Sequence, residues 1–523
     1  MIFRGPNPDV TIPEVSLTDF IFASTRDFKD KTALVDGPTG RSMTYAEFEN
    51  AVRRVASSLA RKGFKKGEVF AIFSTNCLEF AITFHAVAML GGIVTPLNPL
   101  YTAEEVAFQL RDAGARLLVT VPLCIEKARA AAKAANIEEL FVFGESEGAT
   151  PFASLLAGDG EVPRVEIDPK NDLVVLPYSS GTTGLPKGVM LTHYNIVANL
   201  CQMDGLDYFH HDDTLLCVLP LFHIYGLVVV LNMGLHLGST IVIMPRFDLV
   251  QFLEAIQKYQ VTLSHIVPPI VLKLAKDPSI DDYDLSSLRM IFSGAAPLGA
   301  ELSRECMNRI KCGIRQGYGM TETSPVTHSS PADPARMRLG AVGTAAPNTE
   351  VKLVDPATGA ELGPNEEGEI CVRGPQIMKG YLNNPEATTR TVDSDNWLHT
   401  GDIGYADADG HFFVVDRVKE LIKYKGFQVA PAELEAMLLT HPAVADCAVI
   451  PCRDDEAGEV PKAFVVLKGE ATAGDIMAFV AERVAPHKKI RELEFIEQIP
   501  KSLSGKILRR VLVEKERAKA AKS

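Results

Sequence analysis

The chain has 523 residues, which is too long for one compact hydrophobic core, so we expect at least two domains. Its composition, with 46% hydrophobic and 23% charged residues, is typical of a globular protein and excludes a fibre or a disordered chain. The formal net charge of −13 argues against a nucleic-acid partner, which requires a broad basic face. Nine scattered cysteines favour a cytoplasmic protein. The most apolar stretch, residues 227–244, is interrupted by Asn232 and His236 and predicts a buried helix and strand, not a membrane span.

The first 340 residues alternate helical and extended patterns. Thr44 and Glu47 have the spacing of a capping box, which predicts a helix start, and Thr102 with Glu105 repeats it. Short apolar runs between such helices predict an α/β fold whose sheets are mostly parallel and buried on both faces. These runs are residues 69–73, 117–121, 140–143, 173–176, 240–244 and 290–292.

The sequence changes character near residue 340. Glycine, proline and aspartate become frequent, and short strands joined by turns predict a β-rich subdomain at about residues 340–416. After Arg417 about one hundred residues mix helical and alternating patterns. We therefore predict a large N-terminal domain over residues 1–417 and a small α+β C-terminal domain over residues 418–523.

The most informative segment follows a β-branched run at residues 173–176 and is rich in hydroxyl side chains and glycine. Glycines let backbone N–H groups approach phosphate oxygens, hydroxyls donate further hydrogen bonds, and a lysine adds positive charge. It is not a Walker A loop, because Pro186 precedes Lys187 and Gly188 follows it. The predicted phosphate contacts are Ser179, Ser180, Gly181, Thr182, Thr183 and Lys187.

This loop resembles the signature of the acyl-adenylate-forming (AMP-binding) superfamily, and the chain is most similar to 4-coumarate:CoA ligases and other acyl-CoA synthetases. Further family motifs follow in the family's order, so that the resemblance covers nearly the whole chain. They lie at residues 316–322, 400–402, 416–428 and 500–507.

The resemblance implies a site for ATP or AMP and for Mg²⁺. In the family, the first of these motifs flanks adenine and contacts the α-phosphate, which here assigns Gln316, Gly317, Tyr318 and Thr321. Glu322 supplies a hard oxygen ligand for Mg²⁺. Asp402 and Arg417 are expected at the ribose, and Lys419 at the hinge of a mobile C-terminal domain.

Lys506 stands at the position of the adenylation lysine. Attack of a carboxylate on the α-phosphorus brings two anions together, so a cation is needed at the reacting centre. By the same resemblance, Lys423 and Gln428 lie near the adenylate, and coenzyme A is contacted by Arg246, Lys425 and Gly426.

The acyl pocket is also assigned by resemblance to 4-coumarate:CoA ligases. His223 is expected near the carboxylate, and the walls are expected to be Tyr225, Val229, Gly294, Ala295, Ala296, Pro325 and Val326. Cys371 is interpreted as structural. The predicted enzyme is an acid–thiol ligase acting on 4-coumarate or a related hydroxycinnamate. A medium-chain fatty acid is the alternative substrate, and a nucleotide-binding protein without catalysis is the alternative from another class.

Overall fold

A computed structural model of the chain describes residues 1–179, 186–417, 420–425, 427–454, 457–502 and 505–520. Two nine-stranded sheets form the large N-terminal domain, and a smaller α+β domain follows. This is the predicted architecture. Within the described ranges, no helix is both long enough and apolar enough to cross a membrane.

The first nine-stranded sheet is parallel at its centre and antiparallel at one end. Val69–Phe73 pairs in parallel with Ile93–Leu97 and with Ala115–Thr120. Where Leu173–Val175 meets Lys187–Thr192 the pairing becomes antiparallel. The other strands of this sheet are Glu139–Val142, Thr150–Pro151, Tyr178–Ser179 and Gly380–Tyr381.

The second nine-stranded sheet has a parallel core with antiparallel edges. Its parallel strands lie in the order Gly313–Gly319, Met290–Ser293, Leu263–Ile266, Thr214–Cys217, Thr240–Ile243 and Thr32–Asp36. The edge strands are Val326–Ser329, Thr344–Ala345 and Ser42–Thr44. Ligands of open α/β sheets bind at the carboxyl ends of parallel strands, which makes this edge the place to look for a site.

Two helices of the N-terminal domain begin at the caps that the sequence predicts. The Thr44 hydroxyl accepts from the Glu47 N–H, the Glu47 carboxylate accepts from the Thr44 N–H, and Thr102 repeats the arrangement. The α-helices are Leu17–Ser24, Tyr45–Arg61, Leu78–Met89, Ala103–Asp112, Ile125–Ala135, His193–Asp204, Met233–His236, Leu249–Tyr259, Pro268–Lys276, Ala300–Ile310 and Pro385–Thr391, with a π-helix at Tyr225–Asn232.

An antiparallel sheet forms the predicted β-rich subdomain. Its strands are Phe3–Arg4, Glu350–Val354, Gly368–Arg373, Leu398–Ala406 and Phe412–Arg417, with Glu361–Leu362 paired beside them. The strand at residues 3–4 comes from the other end of the chain and is not predicted by the sequence.

The C-terminal domain has one five-stranded sheet with helices against it. Its strands are Ile422–Tyr424, Phe427–Val429, Val444–Asp454, Gly458–Leu467 and Glu492–Phe495, and its α-helices are Pro431–Leu439, Ala473–Ala481 and Arg509–Ala520. The many lysines and arginines from Lys506 to Lys522 predict a charged helix over these residues, whereas the helix begins at Arg509. The boundary at residues 417 and 418 stays a prediction.

Arg509 joins three parts of this C-terminal domain. Its two Nη atoms each donate at 2.6 Å, one to Glu420 and the other to Glu435, and its Nε donates to the Val449 carbonyl at 3.2 Å. Burial raises the pKa of Glu435 to about 7, against the opposing charge of Arg509. Arg509 therefore holds the first residues of the domain against its central strands.

We expect Arg509→Met to destabilise the C-terminal domain by about 3–5 kcal/mol, because a buried carboxylate is left without its counter-ion. The measurement is denaturant unfolding followed by hydrogen exchange in this domain. The matched control is Arg510→Met on the same helix. The Arg510 side chain is exposed and, among the described residues, forms its ion pair with Glu514, so no change in stability is expected. Equal stability of the two variants would contradict the role of Arg509.

Candidate active site

The two described ends of the predicted phosphate segment lie on paired antiparallel strands, where Ser179 pairs with Lys187. A strand, not a helix, follows Pro186. Four of the predicted contacts, Ser180, Gly181, Thr182 and Thr183, lie outside the described residues.

The buried carboxylate of Glu322 lies beside these strands. It is 5% exposed, and its Oε1 accepts hydrogen bonds from Ser179 Oγ at 2.9 Å and from the Tyr381 hydroxyl at 2.8 Å. The Lys187 ammonium lies 4.5 Å from the centre of the Tyr381 ring. Tyr381 therefore joins these strands to the predicted metal ligand, and the sequence analysis missed it.

The adenine motif forms a strand followed by one 3-10 turn, Thr321–Thr323. A Cβ on Gly319 would lie 1.9 Å from the Pro325 carbonyl oxygen, so only glycine fits there. The side-chain amide of Gln316 bonds to the backbone of Leu298, donating at 3.1 Å and accepting at 3.3 Å. Gln316 thus fixes the wall behind the motif.

Tyr318, Asp402 and Arg417 meet in one cluster. The Tyr318 hydroxyl donates to Asp402 Oδ2 at 2.6 Å, and Arg417 Nε lies 3.3 Å from Asp402 Oδ1. Asp402 and Arg417 are direct partners on adjacent strands. Burial raises the pKa of Asp402, and the Arg417 charge and the Tyr318 hydrogen bond oppose that rise. The two predicted ribose residues therefore lie together.

Lys506 faces this cluster from the C-terminal domain. Desolvation and then the Arg417 charge lower the pKa of Lys506, while Asp402 and Glu322 oppose the decrease. Its side chain is exposed. A Cβ on the preceding Gly505 would lie 2.9 Å from the Val267 side chain, so this segment touches the N-terminal domain.

His223 lies within reach of the Lys506 charge and is neutral. Burial and then Lys506 lower the pKa of His223 to about 3. Its Nδ1 accepts from the Tyr225 backbone N–H at 3.2 Å, which places the imidazole proton on Nε2. His223 also lines a small cavity together with Tyr178 and Thr321. The predicted carboxylate-binding histidine therefore lies beside the predicted phosphate contacts.

The predicted acyl pocket is built on the π-helix that carries Tyr225 and the buried Val229. A Cβ on Gly294 would lie 2.9 Å from the Tyr225 ring, so the glycine lets that ring lie flat against the strand end. The Tyr225 hydroxyl lies 3.1 Å from His265 Nδ1, and burial lowers the pKa of His265 to about 3. His265 was not predicted.

The remaining predicted wall residues lie close to this pocket. Ala295 and Ala296 follow Gly294 and are half-buried. Pro325 is buried next to Gly319, and the Val326 N–H donates to Asn199 at 3.0 Å.

Among the residues predicted for the second half-reaction, the side chains that the structure describes are exposed. Lys423 is exposed, and its backbone N–H donates to Glu459 at 2.8 Å. It pairs across two strands with Gln428, whose side chain is outside the described residues, as are Lys419 and Gly426. Lys425 and Arg246 are exposed on the C-terminal and N-terminal domains respectively.

The fold and the cleft define an enzyme that binds a nucleotide between a large and a small domain. The chain belongs to the AMP-binding enzyme family, whose sequence profile matches residues 21–382, and the profile of the AMP-binding enzyme C-terminal domain matches residues 433–506. The predicted family is thereby confirmed.

Similar proteins include curated plant enzymes and a solved ligand complex. The 4-coumarate–CoA ligase 3 of Oryza sativa subsp. japonica is 48% identical over 98% of this chain and 94% of its own length. The 4-coumarate–CoA ligase 2 of Petroselinum crispum is 48% identical over 98% of this chain and 96% of its own. An anthranilate CoA ligase in complex with anthranoyl-AMP has a TM-score of 0.90 at 27% identity, covering 98% of this chain and 99% of that one.

We expect His223 to stay neutral between about pH 5.5 and 8, because burial has moved its pKa far below that of an ordinary histidine. For a histidine with a lowered pKa, protonation begins only as the pH falls towards that value. Nitrogen-15 NMR of labelled histidine would show the Nε2–H tautomer throughout, with His223→Gln used to assign the signal. Titration of this signal near pH 6.5 would contradict the structure.

Proposed function

We propose that this protein is an ATP-dependent carboxylate–CoA ligase that acts on 4-coumarate or a related hydroxycinnamate. In the first half-reaction the carboxylate attacks the α-phosphorus of ATP, giving acyl-AMP and pyrophosphate. In the second, the thiol of coenzyme A attacks the acyl carbon and AMP leaves. The observation that carries the proposal is the cleft in which Lys506 faces Asp402, Arg417 and Glu322. The identity of 48% with 4-coumarate–CoA ligases supports the same reaction.

Adenylation requires positive charge and donors where two anions meet. Lys506 supplies the charge, since its ammonium acts within the same cleft as Glu322 and Asp402. His223 is neutral, and its Nε2–H donates to one oxygen of the acid without adding charge. Lys187 and Thr321 contact the phosphates from the opposite wall. Together these groups stabilise the charge that builds up on the phosphoryl oxygens. In comparable sites each donor contributes about 3 kcal/mol.

Glu322 fits a magnesium site by its chemistry. Both hydrogen bonds to its carboxylate end on Oε1, so among the described residues Oε2 faces no donor and is available to a hard cation. Mg²⁺ bound there would neutralise phosphate charge and orient the pyrophosphate leaving group.

Asp402, together with Tyr318 and Arg417, holds the ribose. A carboxylate accepts two hydrogen bonds and suits a diol, and Tyr318 and Arg417 keep it oriented and ionised. Gln316 and Gly317 shape the wall against adenine.

The C-terminal domain, residues 418–523, serves both half-reactions by moving about a hinge at Lys419. The positions of the two lysines support this, because Lys506 acts on Asp402 and Glu322, whereas Lys423 lies on the separate strand Ile422–Tyr424. After the motion Lys423 and Gln428 face the adenylate, and Lys425, Gly426 and Arg246 bind coenzyme A. Closure around the adenylate excludes water from a hydrolysable mixed anhydride.

The preference for a hydroxylated aromatic acid is supported by Tyr225 and His265. The Tyr225 ring packs against Gly294, and the buried Val229 adds an apolar surface on the same helix, which suits an aromatic acid. Its polar end is the hydroxyl of Tyr225, held by a neutral histidine. The nine cysteines, none of them in a disulfide, support a place in the reducing cytoplasm.

The proposal is tested by ATP–pyrophosphate exchange with 4-coumarate, cinnamate, benzoate and octanoate. We expect 4-coumarate to give the fastest exchange. Lys506→Ala should slow it by about 100-fold or more while sparing thioester formation from pre-made acyl-AMP. The control is Lys515→Ala, which removes a lysine from the same domain that pairs with Glu494. Fastest exchange with octanoate would favour the fatty acid, and exchange with no acid would favour a nucleotide-binding protein without catalysis.

We expect Tyr225→Phe to lower the ratio of kcat/KM for 4-coumarate to kcat/KM for cinnamate by up to about tenfold. The lost hydroxyl removes one net hydrogen bond to the para-hydroxyl group, and cinnamate has no such group. Steady-state kinetics with the two acids measures the ratio, and cinnamate serves as the internal control. A parallel decrease for both acids would mean that the hydroxyl maintains the pocket without contacting the acid.

A further inference from the structure

A second group of ligand-type side chains lies in the antiparallel subdomain, outside the machinery assigned above. Cys371 and His399 are direct partners on two adjacent strands, and Glu369 precedes Cys371 by two residues. Their Sγ, ring nitrogen and carboxylate oxygen all lie within 4.8 Å of one another. Cys371 is fully buried, whereas His399 and Glu369 are partly exposed, so the group opens to solvent on one side.

We propose that Glu369, Cys371 and His399 bind a thiophilic divalent cation of the Zn²⁺ type. The sulfur lies 3.4 Å from His399 Nδ1, and Glu369 Oε2 lies 3.1 Å from the same nitrogen. In tetrahedral zinc sites, metal–ligand distances of about 2.0–2.3 Å place neighbouring ligand atoms about 3.4–3.5 Å apart. Two of the three distances between ligand atoms are thus already near those of a ligand tetrahedron, and the third lies within 4.8 Å. Water would take the fourth corner.

The residues behind these ligands provide a second argument. His399 Nε2 lies 3.4 Å from Asp393 Oδ2, which is the carboxylate–histidine arrangement that orients metal-binding imidazoles. The other oxygen of Asp393 accepts from the backbone N–H groups of Asp395 and Trp397, each at 2.9 Å, so this carboxylate is fixed. The Gly401 N–H donates to Glu369 Oε1 at 2.9 Å, which leaves Oε2 turned towards the histidine.

The charge of the group also suits a cation. Glu369 and Asp393 contribute two carboxylates, and the Cys371 thiol would bind the ion as a thiolate after releasing its proton. Two basic side chains lie nearby, since the Lys352 ammonium and the Arg373 guanidinium lie 4.7 Å and 4.4 Å from the centre of the Trp397 ring. Arg373 is paired with Glu350, so the two carboxylates and the thiolate formed on binding outweigh Lys352.

The test uses Co²⁺ as a spectroscopic probe on the full chain, with thiols reduced and nucleotide absent. We expect one equivalent of Co²⁺ to give a thiolate charge-transfer band that Zn²⁺ abolishes by displacement. Glu322 offers only oxygen atoms and cannot give this band. Cys371→Ser should abolish the band, and the matched control Cys452→Ser should retain it, although Cys452 lies near Glu492 and Glu516 in the other described group of possible ligands.

A second variant keeps the proposal testable if Cys371→Ser does not fold. Asp393→Asn leaves all three ligands in place and should weaken Zn²⁺ binding by about 10- to 100-fold. The proposal is overturned by the absence of a thiolate band in the parent chain, by its persistence in Cys371→Ser, by its loss in Cys452→Ser, or by unchanged Zn²⁺ affinity in Asp393→Asn.

Discussion

The arrangement of the active site depends on a charge that the C-terminal domain carries across to the N-terminal domain. Two anions, the acid and the nucleotide phosphate, repel each other until a cation lies between them. In the proposed reaction Lys506 provides it, and three residues further on Arg509 bonds to Glu420 and Glu435. A buried ion pair of this kind adds little net stability, because desolvation offsets the attraction, yet it fixes geometry. Here it ties the first described residues of the C-terminal domain to its last helix, so that rotation about the proposed hinge would move Lys506 as part of a rigid body.

The cleft balances charge before any substrate arrives. Asp402 and Glu322 are buried carboxylates, and Arg417 and Lys506 act on both of them. His223 is kept neutral by burial and by the neighbouring ammonium. In the proposed reaction the acid would therefore accept a hydrogen bond from a neutral group, while the positive charge would act on the phosphate. Such a division favours the transition state over the ground state, which is the condition for catalysis.

The sequence predicted what depends on local pattern. Capping boxes at Thr44 and Thr102 and the buried parallel strands are short-range effects. The contacts that were missed are long-range. Tyr381 reaches Glu322 across 59 residues and His265 reaches Tyr225 across 40, and no spacing in the sequence marks either pair. Family motifs identified Asp402 and Arg417, while the fold alone revealed that Tyr318 donates to the same carboxylate.

The antiparallel subdomain connects two kinds of site through one strand. Leu398–Ala406 carries His399 near one end and Asp402 three residues later, and Gly401 between them donates to Glu369. A cation held by Glu369, Cys371 and His399 would stabilise the folded strand by mass action, since the unfolded chain lacks the assembled ligands. The Thr400 hydroxyl bonds to the Ile370 carbonyl at 2.7 Å, so the paired strand would be held as well. The position of Asp402 depends on this strand and on Arg417 in the next strand. A bound cation would therefore also stabilise the carboxylate that we propose for the ribose.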